Sequence, residues 1–181
     1  MPRAARVCHD LRVHVLLVTT VEADGAAHDV AAAWVRGSAR CEVRRLVLSA
    51  PVPAPGPASP RQDPAPVFVP TEALGLTTVD RPSDTPERAA LRAAVQVADL
   101  VVVHVTVLDG AGLHDGPVAQ AAAAAAPAVV PVVVLAGRSE VTRRELAAAG
   151  VAGVHEVGDP WDPVAVERVA RTWAPTWHAG T

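Results

Sequence analysis

The polar residues best suited to chemistry gather in one stretch of this chain. His104, Thr106, Asp109, His114 and Asp115 lie between a valine-rich run and an alanine-rich one. Two carboxylates and a threonine hydroxyl are the oxygen donors that Mg²⁺ prefers. Asp109 is the first candidate for a catalytic or metal-binding carboxylate. The plainer reading is a solvated loop of turn residues. In that reading His104 is a hydrogen-bonded core histidine and His114 lies on the surface. Thr19 and Thr20 close the apolar run that starts at Val13, and Arg138 follows Gly137 after another such run. An arginine there can meet an anion or stand idle near a helix start. Thr19, Thr20, Thr106, Asp115 and Arg138 are the candidate binding residues.

Other chemistries are excluded. All 16 basic residues are arginine, so no mechanism can use a lysine ammonium. That rules out the glycine-rich phosphate loop that ends in Lys-Ser/Thr. Cys8 and Cys41 have no neighbouring histidine pair and make no zinc signature. They read as small thiols in a reducing cytoplasm. The net charge of −3 shows no basic patch, so nucleic acid is not an expected partner. The start of the chain does not read as a signal peptide, and no apolar run reaches the length of a membrane span. A cytoplasmic, membrane-free protein is expected.

Strand and helix patterns alternate along the 181 residues, half of which are apolar. Strands are predicted near 12–19, 42–49, 99–107, 130–136 and 153–157. Helices are predicted over 26–35, 86–97, 117–126, 140–149 and from Asp162 to about Trp173. Ser139 is expected to cap the fourth of these helices, and 109–116 to be a loop. Residues 50–83 are proline-rich and read as a linker or surface loop, with a short strand at 67–69. The expected organisation is one α/β domain. Its first part is 1–49 and its second is 84–173, with a tail at 174–181. Strands separated by helices imply a mostly parallel, doubly wound, Rossmann-like five-stranded sheet with helices on both faces. Ligands of such sheets bind beyond the carboxyl ends of the strands. Helix starts at that edge carry a partial positive charge, so a small anion is the expected ligand there. Trp161, Trp173 and Trp177 read as packing anchors near the last helix.

Four blocks in order carry a resemblance: ADLVVVHVTVLD, GLHDGPVAQAA, VPVVVLAG and LAAAGVAGVHEVGD. Together they resemble the C-terminal third of the type 1 glycerate kinases. In that family the first block reads roughly ADLVITGEGRLD, followed by a Gln-Thr-Leu-x-Gly-Lys-x-Pro loop and a strand like KPVIALAG. The start, RVHVLLVTTVEADGAAHDVAAAWVRG, is similar to the family's first strand and helix. The family's middle domain has no counterpart, and 50–82 would bridge the gap. The resemblance implies phosphate transfer from ATP to glycerate, with Mg²⁺ and ATP as cofactors.

The departures fall on the chemical residues. Where the family has Pro-Asp-Ser-Phe-Lys, this chain has Val18, Thr19, Thr20, Val21 and Glu22. The family's Ala-Asp-Gly-Gly-Glu-Gly segment falls on 49–54, which hold no acid and no glycine. Its Gly-Glu-Gly-Arg segment falls on His104, Val105, Thr106 and Val107, and its loop lysine near Asp115 or Gly116. Only Asp109 carries over. Losing one transition-state donor costs about 2.7–4 kcal/mol by analogy with an oxyanion hole, so several losses imply an impaired enzyme. Three readings follow. One is a kinase completed by another subunit. The second is a non-catalytic small-anion-binding or interaction module, as a homo- or hetero-oligomer or alone. The third, a phospho-acceptor receiver, is disfavoured by the missing lysine and the absence of an acidic pair after the first strand.

Overall fold

Runs of valine and leucine become strands wherever helices can cover both of their faces, and this dictates the sheet. A computed structural model describes residues 12–21, 24–49 and 85–174. The strands are β1 (Val13–Thr20), β2 (Cys41–Leu48), β3 (Leu100–Leu108), β4 (Val132–Ser139) and β5 (Gly153–Glu156). The helices are α1 (Asp24–Gly37), α2 (Pro86–Val95), α3 (Gly110–Asp115), α4 (Pro117–Ala125), α5 (Arg143–Ala148) and α6 (Pro163–Trp173). All strand pairs are parallel, in the order β2-β1-β3-β4-β5. The fold is therefore the expected doubly wound α/β sheet. The linker at 50–83, its short strand and Trp177 lie outside the described residues.

Alternation along the strands builds two cores. Leu16, Val18, Val101, Val103, Val132 and Val134 face α2, α3, α4 and α5. Val15, Leu17, Leu100, Val102, Val133 and Leu135 face α1 and α6. In the first half of β3, Leu100–Val103 are buried on both faces, as central parallel strands require. The second core is closed where α1 meets α6. There Arg36 pairs with Glu167 at 2.9 Å, and the Ser38 hydroxyl donates to the carbonyl of Ala174.

Two local expectations are corrected. Residues 110–115 form α3 rather than a loop. Asp109 caps it, accepting from the Gly112 N–H at 2.7 Å, and Leu113 reaches the core. Ser139 does not cap a helix, because β4 continues to it in register with Leu108. Thr142 caps α5 instead, in a capping box with Glu145.

Candidate functional site

The strand order defines where a ligand would sit. After β2 the chain crosses β1 to reach β3, so connections leave β1 and β3 in opposite directions. In doubly wound sheets ligands take the position between the carboxyl ends of two such strands. The last paired residues of β1 and β3 are Val18 and Val103. One step further stand Thr19 and His104. Both continue the α1/α6 side of the sheet, after Leu17 on β1 and Val102 on β3. Parallel neighbours lie about 4.8 Å apart, so the two side chains flank each other.

Thr19 is 0% exposed and His104 is 6% exposed. Neither Thr19 Oγ1 nor His104 Nδ1 has a hydrogen-bond partner among the described residues. Burial lowers the His104 pKa, so its ring is held neutral. Buried polar atoms are almost always paired, and each orphan costs roughly 1–3 kcal/mol. Two of them side by side at the switch point form the least satisfied spot of this sheet edge. Trp34 Nε1 and Ser139 Oγ are also unpaired; the first lies late in α1, toward the opposite end of the strands, and the second ends β4, two strands from Thr19.

β4 forms the far wall. A side chain at Gly137 would lie 3.2 Å from Asp159 Cβ, so the turn after β5 folds over the end of β4. Burial along β3 is continuous from Leu100 to His104, and Val105 is half-buried. Thr106 and Val107 are both exposed before Leu108 returns to the core, which leaves the Thr106 hydroxyl on the rim.

The other predicted residues are spread more widely. Thr20 is half-buried and, by alternation, points to the opposite face from Thr19. Asp109 is exposed and engaged as the α3 cap. Asp115 ends α3, a helix that separates it from Asp109 by about 9 Å of rise. The structure therefore does not bring these two carboxylates onto one cation. No group of three or more His, Cys, Asp or Glu side chains converges among the described residues. Arg138 is exposed and paired with Glu140 at 2.6 Å, which offsets its charge. Among the described residues, Asp109, Asp115 and Arg138 are not gathered as a magnesium nucleotide would need, and the chain has no lysine.

His104 is buried as expected, and its Nδ1 has no hydrogen-bond partner among the described residues. No spacing rule places it beside Thr19, because 85 residues separate them and only the β1–β3 register joins them. No protein-family model matches the chain, and no curated protein matches it in sequence. No helix among the described residues is long and apolar enough to cross a membrane.

Proposed function

We propose that this chain is a non-catalytic small-molecule-binding module, with its site between the carboxyl ends of β1 and β3. The observation that carries the reading is the adjacent pair of buried, unpartnered groups, Thr19 Oγ1 and His104 Nδ1. A polar ligand that bonds both would recover the hydrogen bonds these groups lose on folding. The glycerate kinase resemblance enters as a shared scaffold rather than a shared reaction. The family's cations are replaced, Asp109 serves a helix cap and Arg138 is held by Glu140. A small anion is the ligand implied by helix starts at this edge, and it is one class to be tried.

A thermal-shift panel tests the reading. It pairs phosphate, glycerate, ADP and ATP with and without Mg²⁺, together with neutral polyols. A ligand that binds only the folded state raises the melting temperature by mass action. The expected result is stabilisation by at least one of these that disappears in Thr19→Val. If no ligand stabilises the chain, or if the response survives in Thr19→Val, the site lies elsewhere.

A further inference from the structure

Resting on that reading, we infer that the switch-point site takes a neutral, polyhydroxylated small molecule rather than an anion. The floor of the site is uncharged: a threonine hydroxyl, 0% exposed, beside an imidazole, 6% exposed. A charged ligand seated on it would shed water without meeting a counter-charge, which is costly. A ligand hydroxyl suits it, because one O–H can donate to one of these atoms and accept from the other. Thr19 Oγ1 does both, and a neutral imidazole nitrogen does either according to its tautomer.

The rim points the same way. Thr106 places a further hydroxyl at the end of β3, and Asp159 stands over the end of β4. Asp109 follows β3 directly and Glu140 follows β4, and both are exposed. Arg138, near the end of β4, is bound to Glu140 at 2.6 Å. At the ends of β3 and β4 themselves an anion would meet Asp109, Glu140 and an arginine that is already paired. Carboxylates accept well from sugar-like hydroxyls, and such bonds are stronger than neutral ones. Hydroxyl groups spaced along a short carbon chain would reach from the buried pair to Thr106 and Asp159.

The experiment follows backbone amide shifts of the full chain on titration with three probes separately: erythritol, inorganic phosphate and ethanolamine. Erythritol is expected to move Thr19, Thr20 and His104. Its affinity should fall about five- to tenfold in Thr19→Val, the loss of one neutral hydrogen bond, and be kept in Thr19→Ser. Thr19→Val preserves shape in a strand, so a folding failure does not obscure the result. If phosphate or ethanolamine moves these residues and erythritol does not, the neutral class is wrong while the site stands. If none of the probes moves them, or shifts appear only elsewhere, the site itself is wrong and this inference falls with it.

Discussion

Trp173, in the last turn of α6, donates its indole N–H to Nε2 of His155 at 2.8 Å. The rings meet edge to face, with centroids 6.2 Å apart. The indole also covers Gly153, where a Cβ would lie 3.0 Å from Trp173 Cζ2. A single aromatic side chain thus seals the edge strand β5 against α6. The bond requires an unprotonated Nε2, and burial lowers the pKa of His155. Burial lowers that of His104 as well. A base whose folded pKa is depressed contributes stability that is complete above its ordinary value, near 6.5. That stability is lost as pH falls through the folded pKa. The melting temperature should therefore be level above that value and decline below it. The Trp173 indole N–H resonance should shift over the same range. His155→Gln keeps an acceptor for the indole and cannot titrate, so it should flatten part of the decline. An unchanged pH profile in that variant would remove His155 from the account.

Thr19→Val separates a functional threonine from a structural one. Its hydroxyl is buried without a partner, so replacing it with an isosteric methyl removes a desolvation cost. The gain should be about 1 kcal/mol, or about 2–4 °C in melting temperature for a chain of this size. Calorimetry on the two purified proteins measures it. A loss of stability instead would mean that the hydroxyl already has a partner in solution, and the site would lose one of its two members.

Gly37 marks the tightest approach of α1 to α6. A Cβ there would stand 2.7 Å from Glu167 Cα and 2.8 Å from Ala170 Cβ, besides meeting the Glu167 carbonyl. Backbone cannot step aside as a side chain can, so Gly37→Ala should cost about 1–3 kcal/mol through overpacking. Gly25, in the first turn of the same helix, has nothing within 4 Å of its Cβ position. Gly25→Ala should be neutral or stabilising by up to about 1 kcal/mol. Urea unfolding of the pair reads out the contrast, and equal effects at both sites would show that the helix crossing is looser than described.

The fold was legible because its signals are local. Val13–Val18 and Leu100–His104 can hardly be anything but covered strands, and Thr85, Pro86, Asp162 and Pro163 open α2 and α6 as their types dictate. Two boundaries failed where a cap and a strand end compete. Ser139 has the chemistry of a helix cap, yet β4 runs to it, and its N–H is taken by Glu156 at 2.9 Å. Asp109 reads as a loop acid until Leu113 finds the core and a short helix forms between them. The candidate site was half visible. Thr19 was chosen for its place at a strand end, but its partnership with His104 depends on strand order and register. Neither leaves a mark on the sequence near His104. Arg138 stands near a strand end, and only the side-chain geometry reveals its pairing with Glu140.

The last prediction concerns phosphoryl transfer, where Asp109 is the residue on which the glycerate kinase reading depends. The purified chain should not phosphorylate D-glycerate with ATP above background, because positioning and cations do most of the work in that reaction. Asp109 has a structural duty that a simple alanine scan would confuse with catalysis, since Oδ1 accepts from the Gly112 N–H at 2.7 Å. Asp109→Ala should therefore cost about 1 kcal/mol through loss of the cap. Asp109→Asn keeps a capping oxygen and removes the charge, and it should cost little. Both variants and the unmutated chain are then compared in a coupled ADP-release assay. Turnover in the unmutated chain that vanishes in Asp109→Asn, with the melting temperature preserved, would overturn the non-catalytic reading. It would also make that carboxylate the catalytic or metal-binding group.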